Sequence, residues 1–496
     1  MKSTNRKRGI QRRTFVQATA AAGGLAWLPS ARSYARIAGS NERIRVAAVG
    51  FRSRGGALID AVKREDSAEL VALSDADRNV LAARESGNND LLRTTDAREL
   101  LERDDIDAIV SATPNHWHAL LAILACQAGK HVYMEKPISH NMLESQAIVE
   151  AARKNDSVVQ CGFQNRSDTG LIPFFDRLNS GEFGDVLSVH GTCYRQRNSI
   201  GKRETPLPIP DHIDYGLWLG PAADQPLYRP NLHYDWHWDF NTGNGDVGNQ
   251  GPHEWDMMNW ALGDPERLPV SMVAAGNRFG WKDAGNTPNV MACAGRTADG
   301  IPFRFEVMDL KGGGPPPHGK GVGVIVETGK GRFVGGRGGG RFETNDSKTE
   351  SFSRDETQKN QDGLQAHIHN FLQAVRKRDP DLLRSECAVA GRSSSMAHMA
   401  NISYQLGNQG DGNHAADDSF EQPASREMIE RLQNSARQYA DRNESAQPAE
   451  AWLCGARLSF DPQTQQFIDD QAAEANRLMT RRYRSGFELP SGQSGR

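Results

Sequence analysis

The chain has 496 residues, with 59 Lys and Arg against 62 Asp and Glu and a formal net charge of −3. Charge of both signs, mixed and nearly balanced, offers no basic face for nucleic acid and none for an anionic membrane surface. The length predicts two domains with separate cores, and six scattered cysteines without CxxC or metal-ligand spacing read as buried small apolar residues rather than as a disulfide framework.

Residues 1–13 are basic (Lys2, Arg6, Lys7, Arg8, Arg12, Arg13), and no charge stands from Thr14 to Ala31, where ATAAAGGLAWL is small and mildly apolar. This is the n-region and h-region of a signal peptide, too short and too rich in Ala, Gly and Thr to hold a bilayer as a transmembrane helix. SYA at Ser33–Ala35 offers small residues at both recognition positions of a cleavage site. QRRTFVQ resembles twin-arginine signals, which carry proteins across a membrane already folded and with cofactors loaded. The expectation is a leader over residues 1–35, a periplasmic or other extracytoplasmic location, and no stable membrane insertion once it is removed.

Residues 43–162 alternate apolar strands with amphipathic helices: IRVAAV, a helix over 54–63, AELVALSD, IDAIVSATP, a helix over 117–129, HVYMEKP, a helix over 141–154, and VVQCGF. Continuous apolar strands between helices predict a doubly wound parallel sheet of Rossmann type, which binds ligands at the carboxyl ends of its strands. Gly50 follows the first strand, Gly55 opens the first helix, and Asp75 ends the second strand. That is the spacing of a glycine-rich pyrophosphate loop followed by a ribose-binding acid. Asp75 would accept both adenosine-ribose hydroxyls, which favours NAD over NADP. The middle glycine of the pattern is Arg52, so the loop of Arg52, Ser53 and Arg54 offers guanidinium groups to the pyrophosphate and leaves NADP open.

After Gly162 the segments become longer, aromatic and punctuated by glycine. VLSVHGTCYRQ, VSMVAAGNRF, NVMACAGRT and IPFRFEVMDL read as strands of a largely antiparallel sheet, and VGVIVETGKGRFVGG as a hairpin turned by Gly329 and Gly331. KGGGPPPHGKG is a loop. A helix from Leu364 and another ending at Gly407 would close this second domain over 163–407, leaving 408–496 as an extension without an assigned role.

TPNHWH at Thr113–His118, EKP at Glu135–Pro137 and GDVGNQGPHEWDMMNW at Gly245–Trp260, together with NFLQAV, closely resemble the Gfo/Idh/MocA family of oxidoreductases over about residues 43–407. The resemblance implies a Rossmann domain and then an α/β domain whose large open sheet supports a homo-oligomer, dimer or tetramer, and forms a sugar pocket over the nicotinamide. It sets Thr113, Pro114 and Asn115 against the cofactor, with His118 at the start of the next helix. It places Lys136 beside the nicotinamide on a cis bond to Pro137, with Glu135 orienting or neutralising it. An ammonium there hydrogen-bonds the substrate hydroxyl and stabilises the alkoxide formed as hydride leaves.

His253 aligns with the family's catalytic histidine, a general acid/base suited to neutral pH. Where many members carry an aspartate four residues earlier, this chain has Asn249, which holds a hydroxyl but cannot take its proton. Proton transfer then falls to Lys136 and His253, or draws on Asp246 or Asp256. Gln164 and Arg166 resemble positions that face substrate, and the loop HYDWHWDF, with Trp236 and His237, reads as a pocket wall. His116 and His118 lack a third ligand at sensible spacing, so no metal is expected.

These readings converge on an exported NAD(P)-dependent oxidoreductase with a tightly held cofactor, acting on a sugar, sugar derivative or cyclitol. A redox-neutral glycosidase, lyase or epimerase working through a transient keto-sugar is the alternative, and a non-catalytic sugar-binding protein the third reading.

Overall fold

The computed structural model describes residues 43–84, 91–265, 268–354, 363–409, 420, 422–443 and 452–490. The leader read over 1–35 lies outside them.

Six strands, β1 (Ile44–Val49), β2 (Ala68–Ser74), β3 (Leu92–Thr94), β4 (Ala108–Ser111), β5 (His131–Met134) and β6 (Val159–Cys161), form an all-parallel sheet in the order β3-β2-β1-β4-β5-β6. Successive side chains of a strand face opposite sides of a sheet, and both sides are buried here. Val46 and Ala48 of β1, Val110 of β4 and Tyr133 of β5 turn to one side, where α1 (Arg54–Lys63) adds Leu58, Ile59 and Val62. Ala47, Val49, Ile109, Val132 and Met134 turn to the other, under α2 (Asn115–Gln127) and α3 (Met142–Lys154). Burial on both faces is why these strands read as continuous apolar runs. The strand order reverses between β1 and β4, which opens a crevice at the carboxyl ends of the sheet.

A second sheet of twelve strands begins with β7 (Val186–Cys193), β8 (Ser271–Asn277), β9 (Val290–Arg296), β10 (Pro302–Met308), β11 (Val322–Thr328) and β12 (Gly331–Gly336). β7 runs parallel to β10 and antiparallel to β11, so the sheet is mixed, though most of its pairs are antiparallel. The expected hairpin forms as β11 and β12. β13 (Gly339–Thr344) and β14 (Thr349–Ser353) extend it, β14 as the edge strand, and their polar and glycine residues gave no strand signal. One face of the sheet packs against α4 (Gly245–Asn249) and α5 (Pro252–Ala261). There Trp255 stacks on Phe305 at 4.2 Å and Trp260 on Phe175 at 4.2 Å, both within the core.

Two expectations give way. α6 (Leu364–Lys377) was read as closing the second domain, but its Ile368, Phe371, Leu372 and Val375 pack into the first sheet's core beside Leu58 and Ile59. An amphipathic stripe shows that a face is buried, not which sheet receives it. α7 (Cys387–Gln405) does support the second sheet, with Met396, Met399, Ala400 and Ile402 in that core.

The described residues of the stretch from 408 pack against the rest of the chain. Leu453–Cys454 and Leu458–Asp461 pair with β8, and α8 (Pro423–Arg442) lays Met428, Ile429, Leu432 and Ala436 on the sheet's other face against Val273, Ala275, Ala292 and Ala294. Farther on, Arg484 donates to the carbonyls of Gly216 and Gly220, and Phe487 meets Trp117 edge-on at 5.6 Å. Leu432 is fully buried. Leu432→Ala is therefore expected to cost about 2–5 kcal/mol, read from denaturant unfolding of the full chain, whereas a dispensable extension would unfold with an unchanged midpoint.

Candidate active site

A cavity of about 730 Å³ begins at the carboxyl ends of β1 to β3 and continues past β4 and β5 to residues of the second domain. At its first end β1 turns into α1 through Gly50 at φ +69°. A Cβ on Gly50 would stand 2.9 Å from the Thr113 nitrogen, and one on Gly55 2.1 Å from the Gly50 carbonyl oxygen. Only glycine lets strand, turn and helix close this tightly. Arg52 and Ser53 are exposed on the cavity wall, while Gly55 is buried in the turn behind it. Asp75 accepts the N–H of Phe51 at 3.1 Å and that of Asp77 at 3.0 Å while still lining the cavity. Burial raises its carboxyl pKa, against the pull of those two bonds. Beyond it lie Thr95, Asp96 and Ala97, which the sequence reading did not single out. The glycine turn, the helix start and the β2 carboxylate fit an adenine dinucleotide, with ribose on Asp75 and pyrophosphate at the Gly50–Gly55 turn.

Thr113, Pro114 and Asn115 line the middle of the cavity. Arg54 and Glu135 also line it, in an arrangement unlike the expected one. Arg54 Nε donates to Glu135 Oε1 at 2.9 Å, so Arg54 is tied to a carboxylate before any pyrophosphate arrives. Glu135 in turn takes Arg54 and, at 2.8 Å, the amide of Gln164, instead of pairing directly with the lysine. Burial pushes Glu135 up, but the charges of Arg54 and Lys136 outweigh it and hold the carboxyl below its ordinary value.

The Lys136–Pro137 peptide is cis. Lys136 Nζ donates to the backbone carbonyl of Asn249 and, at 3.3 Å, to its Oδ1. Burial lowers the ammonium pKa, with Glu135 partly offsetting it. Asn249 donates to Asp246 Oδ1 at 3.0 Å, and Asp246 holds Arg197 through bonds of 2.6 and 2.8 Å. Burial opposes ionisation of Asp246, but Arg197 outweighs it and keeps the carboxylate charged. Neither candidate acid reaches the cavity: Asp246 stands behind Asn249, and Asp256 is paired with Arg166. His253 lines the cavity from the first turn of α5, edge-on to Phe163 at 6.1 Å, with Nδ1 buried and unpartnered. Burial first, then the charges of Lys136 and Arg337, push its pKa well below the usual value, so the imidazole is neutral at neutral pH.

Trp236 and His237, stacked at 3.6 Å, form the opposite wall with Trp218 and Tyr234. Tyr234 holds φ +68°, an unusual conformation for a non-glycine residue, and its hydroxyl accepts from Arg197 at 3.0 Å.

Besides Gly55, three expected contact residues lie outside the cavity lining. The ring nitrogens of His118 sit 2.6 Å from the Pro137 carbonyl and 2.8 Å from that of Thr113, tying the two loops together from behind. Gln164 bonds Tyr133 and Glu135 and acts as their support. Arg166 is buried between Asp256 and Asp264 and faces away from substrate space. Its sequence neighbourhood showed a cation after a strand end but not its partners, 90 and 98 residues farther on. Arg337, missed in sequence among the glycines around it, does line the cavity. Among the described residues no cluster of metal-ligating side chains occurs.

The fold and cleft define a two-domain chain whose first domain is of Rossmann type. Residues 44–163 match the Gfo/Idh/MocA model described as oxidoreductase family, NAD-binding Rossmann fold, and residues 186–291 match the model of its C-terminal alpha/beta domain. The first match identifies residues 44–163 as an NAD-binding Rossmann domain, and the second gives the following segment the likeness of that family's C-terminal domain.

The chain is 33% identical over 129 residues to an inositol 2-dehydrogenase of Salmonella typhimurium (25% of this chain, 38% of the relative). It is 30% identical over 211 residues to glycosyl hydrolase family 109 protein 2 of Shewanella sp. ANA-3 (37% and 45%). It is 28% identical over 172 residues to a levoglucosan dehydrogenase of Pseudarthrobacter phenanthrenivorans (34% and 37%). The chain thus spans less than half the length of each of these three curated relatives. Among solved structures, a levoglucosan dehydrogenase in complex with NADH and levoglucosan superposes with a TM-score of 0.56 at 18% identity, covering 72% of this chain and 96% of that one. The Bordetella pertussis WlbA dehydrogenase in complex with NADH and UDP-GlcNAcA superposes with a TM-score of 0.53 at 19% identity, covering 72% and 95%.

Next to His253, Glu254 is buried, accepts from Gln250 at 3.2 Å, and is pushed by burial up to about 8. The folded chain therefore keeps a proton that the unfolded chain releases near pH 4.5, and stability falls as pH rises from there through about 8. Glu254→Gln removes that loss. The gain in Tm over wild type is expected to grow from pH 5 to pH 8.5 in thermal-shift measurements; a constant difference would mean that Glu254 does not carry the proton.

Proposed function

We propose that this protein is an exported, NAD-dependent oxidoreductase acting on a hydroxyl of a sugar or cyclitol, and that it holds its cofactor through turnover. The observation that carries the reading is the meeting of Lys136, Asn249 and His253 in one cavity, continuous with the dinucleotide cleft and walled by aromatic rings. When bound, the nicotinamide accepts or returns hydride at the sugar carbon. Lys136 donates to the sugar oxygen and stabilises its negative charge in a site where burial strengthens the interaction. His253, neutral at working pH, takes the hydroxyl proton. Asn249 positions the ammonium and offers an amide to a neighbouring hydroxyl. The aromatic wall stacks on the C–H face of the ring.

Cofactor retention is supported by the long connection between β7 and α4, which closes over the β2 end of the cleft. Asp77 takes His212 Nδ1 at 2.8 Å and His233 Nε2 at 2.9 Å; Asp214 N–H donates to the Ala76 carbonyl at 2.9 Å, and Arg78 N–H to that of His212 at 2.9 Å. These bonds hold the connection against the chain that follows Asp75, where it would restrain a nucleotide seated on that carboxylate. The twin-arginine reading of the leader fits such a protein, since a pre-folded cargo takes its cofactor along.

Native full-length protein purified without added nucleotide and then denatured is expected to release close to one equivalent of NAD(H) per chain by mass spectrometry. Release of NADP(H) instead would overturn the Asp75 assignment. Lys136→Ala and His253→Ala should each lower turnover roughly 10²- to 10⁴-fold while the bound nucleotide remains. If both variants turn over like wild type, a non-catalytic sugar-binding role becomes the better reading.

A second reading is favoured by the glycosyl hydrolase relative. In it the sugar is oxidised to a ketone, the acidified neighbouring C–H gives up its proton as the aglycone leaves, water adds across the double bond so formed with a solvent proton returning to that carbon, and hydride then returns to the carbonyl. Product formed in D2O would then carry deuterium at the carbon beside the transient carbonyl, whereas a simple dehydrogenase leaves that position protiated.

A further inference from the structure

We propose that the substrate end of the cavity is built for a sugar bearing an anionic group, a carboxylate or a phosphate, and that Arg337 receives that group. This rests on the oxidoreductase reading above and names the substrate class of the same site.

Arg337 stands at the tip of the β12–β13 hairpin, where Gly338 and Gly339 follow it at φ +90° and +124°. A Cβ on Gly339 would lie 1.9 Å from the Phe352 carbonyl oxygen, and one on Gly170 2.5 Å from that of Gly338, so the tip is pressed against its neighbours. It is also pinned. Gly338 N–H donates to Asp168 Oδ2 at 2.8 Å, and the same buried carboxylate takes Gly170 N–H at 3.0 Å and the Arg354 guanidinium. The backbone is fixed and Asp168 is already engaged, yet the Arg337 side chain is exposed and lines the cavity that holds His253 and Lys136. A surface arginine with no task is ordinarily free in solvent on a mobile loop. This one is aimed by a tip that admits little other than glycine.

The charge around it has one sign. Three carboxylates line the cavity. Asp75 and Asp96 are at the adenosine end, and Glu135 is covered by Arg54. Asp246 is engaged by Arg197 behind Asn249, itself an amide where a carboxylate would have offset Lys136. Lys136 and Arg337 therefore face the sugar space with no carboxylate in its lining, Glu135 and Asp246 acting on Lys136 only from behind, an arrangement that favours an anion. The outer side of the same tip continues the trend: Arg337 borders a shallow groove of about 370 Å³ that also has His318, Lys320 and Arg341 in its walls and no acidic residue.

The test uses full-length protein carrying its nucleotide. Binding of D-glucuronate, D-glucose 6-phosphate and D-glucose is measured by calorimetry at fixed ionic strength, and reduction of the bound nucleotide is followed at its near-ultraviolet band, for wild type, Arg337→Gln and Arg337→Lys. The expected result is tighter binding of an anionic sugar than of glucose. Arg337→Gln should then weaken the anion roughly 10- to 100-fold relative to glucose, with Arg337→Lys in between. Which anionic sugar carries the effect separates carboxylate from phosphate. An anion-to-neutral ratio that is the same in wild type and Arg337→Gln, with glucose still reducing the nucleotide, overturns the anion subsite and leaves the proposed function standing. If no sugar of any charge binds or reduces the nucleotide, the oxidoreductase reading falls with it.

Discussion

An ammonium drawn out of water at the end of a buried strand must be met by dipoles or by charge, and the cleft is arranged around that requirement at Lys136. On one side Glu135 is restrained by Arg54 and Gln164, close enough to favour the cation but not bonded to it. On the other, Asn249 passes the field of Asp246 forward while Arg197 holds Asp246 ionised. The result is a file of alternating charge running from the dinucleotide turn to the second domain. A direct Glu135–Lys136 pair would have saturated the ammonium; here its partners are one amide side chain and one carbonyl, which a sugar oxygen can join or displace.

The replacement of an acid by Asn249 takes on a structural sense in this setting. An aspartate at 249 would stand within hydrogen-bond reach of Asp246, and two ionised carboxylates so close cannot both persist without a strong shift in one of them. With the amide, Asp246 stays ionised against Arg197, and the proton transfer proposed for this site falls to a neutral His253. The imidazole owes its low proton affinity to burial and to the cations near it, so the geometry that gathers positive charge also keeps the base unprotonated.

The parallel sheet was legible because its strands are apolar on both faces, a signal that needs no partner information. The glycine turn with Asp75 was legible because its spacing follows from covalent geometry. The meeting of Lys136 and His253 in one cavity was legible through the family resemblance alone. What failed was anything decided by a distant partner. Arg166 and Arg337 are both arginines beside strands in polar, glycine-containing stretches, and nothing local separates them. One is consumed by Asp256 and Asp264, the other is left open by a tip whose anchor is already engaged. The helix over 364–377 failed for the same reason: its stripe is plain, and the sheet it joins lies some 200 residues earlier in the chain, as the bond from Gln160 to the His367 carbonyl shows.

The reach of Arg484 back across 264 residues to the Gly220 carbonyl ties one wall of the cleft to chain made much later. Leu217 and Trp218 sit in the short helix that this arginine grips, and Trp117, on the Rossmann side, is the ring against which Phe487 rests. The chain that makes this wall is therefore complete long before the residues that fasten it, so the wall reaches its final hold only when the last stretch of the molecule is in place.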